Sequence, residues 1–289
     1  MKILHYLKRF ILFLIKEIFS FFIKLFLFLL VIGVIIGLIF KSIEEKPQVV
    51  IKDKAYVVID LANSYRERSL SSNLFEDDSI NFYNLLTNIK NLSFDDKVSG
   101  VVLKLNSNSL SYAQSEELAQ ELSMLRGADK KVIAYFENVN RKNYYLASYA
   151  DEIYMPSANS TSVNIYPYFR EEFYTKKLSD KFGVKFNIIH VGDYKSYQEN
   201  LAKDTMSKEA REDSTRILNL NYENFLDIVS LNRKLNRDDL DKIIKDGDLV
   251  AASSIDLFNN KLIDKYSYWD NLVTLLGGKD KLISIQDYA

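Results

Sequence analysis

The residue in this sequence best suited to chemistry is a lysine set just past an apolar run. The run 186–191 leads into Gly192-Asp193-Tyr194-Lys195-Ser196. It reads as a β-strand, and Gly192 supplies the backbone freedom that a tight exit from a strand needs. Lys195 is then expected just beyond a strand end, where α/β proteins place much of their chemistry. A lysine shielded from water there disfavours its ammonium form and can act as a general base near neutral pH. Asp193 would oppose this by holding the amine protonated, so it is expected to point away from the cleft. Rival groups are few. The chain has no cysteine, and its histidines are His5 and His190, which excludes disulfides, thiolate metal sites and a histidine-rich metal cluster. His190 alternates with Ile189 and Val191 and reads as a strand histidine. Ser148 lacks the sharp glycine turn that a serine nucleophile usually needs and reads as helix packing.

The elements that must position Lys195 follow from periodicity. At 289 residues the chain can bury a full core. Its net charge of −1 gives no general attraction to nucleic acid, and no such partner is expected. Strands are expected over 56–61, 98–105, 132–136 and 152–155. Helical spacing is present over 81–92, over 111–127 with Ser111 and Gln114 as a capping box, and over 144–149. A further helix carries Phe169, Phe173 and Leu178 on one face and stops at Gly183. A long helix starts at Ser207, with Leu218, Tyr222, Phe225, Leu226 and Val229 on one face. Shorter helical pieces cover 237–245, 251–257 and 268–276. The stretches 62–79 and 156–167 read as loops, and the tail 283–289 as a strand with no nameable partner. This alternation predicts an α/β fold with mostly parallel pairing. Lys176, Lys177, Lys181 and Lys185 read as a solvated helix face that could also meet anionic lipid heads.

The N-terminal end has a different character. Lys2, Lys8, Arg9, Lys16 and Lys24 stand against Glu17, and 25–40 is then wholly apolar or glycine. About 20 such residues cross a bilayer core, and Lys24 can snorkel to its edge. Lys41-Ser42-Ile43-Glu44-Glu45 follows, without a small-residue cleavage site, so an uncleaved anchor is expected. The reading is a basic amphipathic cytoplasmic segment at 1–20, a transmembrane anchor at 21–40, a stalk at 41–54 and a translocated body at 55–289.

The ordered set Gly100-Val101-Val102-Leu103-Lys104-Leu105, Tyr144-Tyr145-Leu146-Ala147-Ser148, Gly192-Asp193-Tyr194-Lys195-Ser196, Met206-Ser207-Lys208-Glu209-Ala210-Arg211-Glu212 and Lys261-Leu262-Ile263-Asp264 resembles the signal peptide peptidase A (protease IV) family. The likeness is to the N-terminal, lysine-bearing half of its long tandem form. The resemblance implies a crotonase/ClpP-like fold of repeated β-β-α units. It implies a Ser–Lys dyad in which Lys195 is the general base and a serine on a second copy is the nucleophile. Three positions depart from the active pattern. Arg141 stands roughly in the serine slot, and Asn106-Ser107-Asn108-Ser109 replaces the glycine pair of the oxyanion hole. Glu199-Asn200-Leu201 lacks an expected proline. The nucleophile is therefore expected on a second copy outside these residues. The implied partners are apolar peptides such as cleaved signal peptides, the lipid bilayer, and further copies or a serine-bearing half. The implied location is a bacterial inner membrane with the body periplasmic. No cofactor or metal is implied. The rival reading is a non-catalytic assembly or binding module. A crotonase-like enzyme acting on thioesters is disfavoured by the anchor, because acyl-CoA is cytosolic.

Overall fold

The structure is a computed structural model. It describes residues 2–44, 51–67, 80–158 and 162–288, with the side chains of the first helix given over 12–38. The chain divides into two units, Met1–Val50 and Ile51–Ala289. The first unit is the helix α1 (Lys2–Glu44). Its stretch Leu12–Leu38 is 27 residues long and has mean hydropathy 2.9, and none of its residues is buried. At about 1.5 Å per residue this exceeds a hydrocarbon core of about 30 Å. The helix runs unbroken through the segment expected to lie along the membrane face, and through Glu44 at the start of the expected stalk. Residues 45–50 of that stalk lie outside the described residues.

The second unit begins with β1 (Ala55–Asp60), α2 (Phe82–Leu92), β2 (Val98–Lys104) and α3 (Tyr112–Gly127). Then come β3 (Lys131–Tyr135), β4 (Asn138–Asn140), α4 (Arg141–Ala147), β5 (Glu152–Met155) and β6 (Ser162–Asn164). The C-terminal part holds α5 (Lys176–Lys181), α6 (Glu199–Ala202), α7 (Lys208–Arg233), α8 (Arg237–Lys245), β7 (Val250–Ala252) and α9 (Ser254–Asn259). It ends with β8 (Lys265–Tyr266), α10 (Trp269–Leu275), β9 (Leu282–Ser284) and α11 (Ile285–Tyr288). Six strands form one sheet in the order β8-β5-β3-β2-β1-β9, and every pair in it is parallel. A second sheet has the order β4-β6-β7. Twice a strand of the large sheet is followed by one of the small sheet, β3 by β4 and β5 by β6. This is the β-β winding of the expected crotonase/ClpP-like class.

Parallel strands are buried on both faces and read as continuous apolar runs. In β2, Val101 and Leu103 enter the main core with Leu85 and Ile89 of α2 and Leu118 and Leu122 of α3. Val102 turns the other way, toward Ile133, Tyr135, Tyr154 and Leu272 of α10. Gly100 is glycine for a steric reason: a Cβ there would lie 2.0 Å from the Lys131 carbonyl oxygen on β3. Helix starts follow the expected chemistry. Ser111 and Gln114 form the capping box of α3, and the Ser207 side chain caps α7.

Four expectations are corrected. The run 186–191 is not a strand, because it has no ladder partner among the described residues. The helix expected from Phe169 to Gly183 is reduced to α5, since Phe169 and Phe173 are exposed and no core rewards a longer amphipathic turn. The loop 156–167 contains β6, which pairs with β4 and β7. The tail strand is shorter and has a partner: β9 adds in parallel to β1 before the chain turns into α11. The loop 62–79 falls outside the described residues from 68 onward, and the loop 156–167 does so at 159–161.

Gly100→Ala must force β2 from β3 and is expected to destabilise the body by about 1–3 kcal/mol or more. Gly127→Ala, where a Cβ meets nothing within 4 Å, should instead stabilise it by about 0.4–1 kcal/mol. Paired thermal melts of the detergent-solubilised chain check the opposite signs.

Candidate active site

Lys195 lies in a loop that crosses from the irregular run 184–190 to α6. Gly192 takes φ +94°, a left-handed conformation natural to glycine, and its carbonyl accepts the Lys195 amide at 3.3 Å. The loop is strapped to α7 on both sides of the lysine. Before it, the Tyr194 hydroxyl donates to the Glu212 carboxylate at 3.2 Å. After it, Glu199 reaches the first turn of α7. One Glu199 oxygen accepts the Ser207 amide at 3.1 Å, and the other accepts the Ser207 hydroxyl at 2.7 Å. Lys203 Nζ and the Tyr174 hydroxyl donate to the same carboxylate at 3.0 and 3.3 Å. Burial pushes the Glu199 carboxyl upward, but the Ser207 and Lys203 bonds outweigh it and hold it below the usual carboxylate range. Sequence reasoning does not single out Glu199. Its signal was a carboxylate four residues past Lys195 and eight before an N-cap serine.

The expected shelter around Lys195 is not formed by the described residues. Lys195 is exposed, as are Asp193 and His190. Asp193 and Lys195 form no ion pair with each other among the described residues. Their surroundings are apolar and open: Phe173 is 82% and Ile189 88% exposed, and Phe182, Val191 and Tyr197 are similarly bare. Residues 185–191 make no backbone–backbone hydrogen bond among the described residues.

The slot expected for the serine is filled by cations. Arg141 opens α4, donates to the Tyr166 carbonyl, and lays its guanidinium 3.3 Å from the Tyr168 ring centroid. Lys142 donates to the carbonyls of Asn108 at 3.1 Å and Leu110 at 2.5 Å, and burial lowers its pKa. The amides of Ser109, the last residue of the stretch at the expected oxyanion position, and of its neighbour Leu110 are engaged. Ser109 N–H donates to the Leu61 carbonyl at 3.0 Å, and Leu110 N–H to the Asn108 side chain at 2.9 Å. A cavity of about 130 Å³ beside Lys142 is walled by Tyr112, Tyr145, Tyr168 and Phe225. Ser148 is buried; it donates to the Tyr145 carbonyl at 2.7 Å and accepts from Asn232 at 3.2 Å. This closes α4 against α7. The motif 261–264 is structural in the same way. Tyr144 donates to the Leu262 carbonyl at 2.7 Å, and Asp264 joins Arg233 at 2.8 Å and the Ile153 amide at 2.8 Å.

The family model for Peptidase family S49 matches residues 124–282, more than half of the chain and including the Lys195 loop. Protease 4 of Haemophilus influenzae is 35% identical over 165 residues, 55% of this chain and 26% of that protein. Protease 4 of Salmonella typhi is 30% identical over 167 residues, 57% of this chain and 26% of its own length. The chloroplastic serine protease SPPA of Arabidopsis thaliana is 25% identical over 209 residues, 71% of this chain and 30% of its own. The chain thus matches between a quarter and a third of the length of these relatives.

Arg141→Ser is expected to give no labelling by a fluorophosphonate probe, because Ser109 and Leu110 amides remain engaged. It should also cost about 1 kcal/mol by removing the stack on Tyr168. Gel fluorescence reads the first outcome and a thermal melt the second.

Proposed function

The chain belongs to peptidase family S49, and from that premise we propose that it supplies the general base of a membrane-anchored serine-type endopeptidase. Membership bears out the likeness to the signal peptide peptidase A family and its crotonase/ClpP-like fold. The finer assignment rests on one observation: within the matched span, Lys195 sits on a loop fastened at both flanks to α7. A surface lysine of no consequence needs no such fastening.

In this reading a second S49 domain, on a further segment or another chain, brings the serine. Neutral Lys195 takes the hydroxyl proton as the serine oxygen attacks the scissile carbonyl. The resulting ammonium returns the proton to the leaving nitrogen, and an acyl-serine remains. Water, deprotonated by the same amine, releases the acid. This cycle needs Lys195 neutral, which requires its removal from water. The partner domain provides that cover by packing on the bare apolar surface around residues 173–197. The backbone at 185–191, which makes no backbone–backbone hydrogen bond among the described residues, supports the same docking, because such a segment can be completed by pairing with another chain. Substrates are extended apolar peptides, including signal-peptide remnants. The helix α1 holds the protein at the bilayer through 12–38, with the basic N-terminus in the cytoplasm and the body on the far side.

The exposure of Lys195 in the single chain favours the rival reading, a non-catalytic assembly module, unless a partner covers it. Lys195→Ala in the membrane-extracted assembly separates the two. Hydrolysis of a fluorogenic apolar peptide should fall by about 10²–10⁴-fold, with the assembly unchanged in size. Activity that survives the substitution removes the lysine from the mechanism.

A further inference from the structure

The two legs of the excursion that carries Lys195 meet at one buried carboxylate. Glu199 is 4% exposed, in a region whose apolar side chains face solvent. Its four donors come from three places: Tyr174 on the outgoing leg, Lys203 on the returning leg, and the amide and hydroxyl of Ser207 at the start of α7. The legs touch again through backbone beside it. Thr175 N–H donates to the Asn200 carbonyl at 2.9 Å, and the Asn200 side chain donates to the Phe173 carbonyl at 3.2 Å. Between Lys195 and Glu199 the chain is wound tightly. The Glu199 amide donates to the Ser196 carbonyl at 3.0 Å, and Gln198 is held at φ +62°, a left-handed conformation unfavourable for a residue with a Cβ. Such a conformation persists only where the surroundings enforce it. The next residue is Glu199, whose carboxylate is bonded to the start of α7. It also sits where α7 presents free N–H groups and the positive end of its dipole, which favours a negative charge.

We propose that Glu199 is the positioning residue for Lys195: its carboxylate locks both legs of the loop to the first turn of α7 and so fixes where the amine is presented. This rests on the reading of Lys195 as the base. Neither Glu199 nor its donors touch the reacting atoms in that reading. They act through the four-residue turn that joins them to the lysine. The titratable or charged groups that face the carboxylate are Tyr174 and Lys203. Because the native carboxyl is held below its ordinary range, the lock is fully present above that range. It is lost as pH falls through the lowered native value.

The test uses the full chain in its membrane-extracted assembly, with Glu199→Ala, Glu199→Gln and Ser207→Ala compared by hydrogen exchange and by peptide hydrolysis. In Glu199→Ala, amide exchange over 194–203 and 173–176 should rise at least about tenfold, while β2 and β3 keep their protection and so report an intact fold. Hydrolysis should lose about 10²-fold in kcat with KM within twofold, as expected for a displaced catalytic group. Glu199→Gln keeps one accepting oxygen and should recover part of both losses. In the wild type, acid should release the loop before the sheet, and Glu199→Gln should lack that acid step. Unchanged loop exchange in Glu199→Ala overturns the lock itself. A loosened loop with full activity, while Lys195→Ala is inactive, overturns the positioning role. A loosened loop with Lys195→Ala still active shows instead that the reading of Lys195 has failed.

Discussion

A carboxylate buried at the head of a long helix is the contact on which the presentation of Lys195 depends. The helix α7 is fixed because Tyr222, Phe225, Leu226 and Val229 lie in the main core. Its first turn lies at the other end and offers polar groups in place of apolar surface. Glu199 uses them, and Tyr194 and Arg170 add bonds to Glu212 and Ser214 further along the helix. The loop therefore inherits its position from the core through hydrogen bonds rather than through packing. Hydrogen bonds are directional but contribute little net stability each, so a loop held this way is placed without being rigidly cemented.

The other half of the site has the opposite character. Around α4 a helix N-terminus faces the turn after β2. The residues there neutralise it. Lys142 caps carbonyls of the turn, Asn143 binds the Leu105 carbonyl at 2.7 Å, and Arg141 is stacked on Tyr168. A positive charge at a helix N-terminus is unfavourable, yet here two adjacent cations are accommodated. Carbonyl oxygens and aromatic faces supply the compensation that the helix end does not. The slot is thus filled with structural chemistry, and on the proposed reading the nucleophile comes from elsewhere.

What the sequence makes legible follows from where each signal is local. The parallel strands read clearly, because a strand buried on both faces must be apolar throughout, as in 98–105. Helix starts at Ser111 and Ser207 read clearly because a cap is a four-residue event. The run 186–191 has the same apolar look as a core strand but no neighbour to pair with among the described residues. Composition reports that a segment wants burial and cannot report against what. The role of Glu199 is illegible in the sequence for a related reason. Its meaning comes from Ser207 and Tyr174, eight residues after it and twenty-five before it, and neither separation fits a strand or helix period. The edge position of β9 beside β1 is likewise a matter of topology, set by residues more than two hundred apart in sequence.

These features bear on the proposed chemistry through the state of one amine. An exposed lysine is protonated at neutral pH and cannot accept a proton. On the proposed reading, covering the apolar surface around it does two things at once. It buries side chains that are costly to leave in water, and it strips water from the ammonium, which favours the neutral form. Base strength is then coupled to docking: the energy of burying Phe173, Phe182 and Ile189 offsets the cost of desolvating Lys195. In the single chain Lys195 stands exposed on a well-placed loop. The same exposure that weighs against catalysis by a lone chain is what an assembly-dependent base requires.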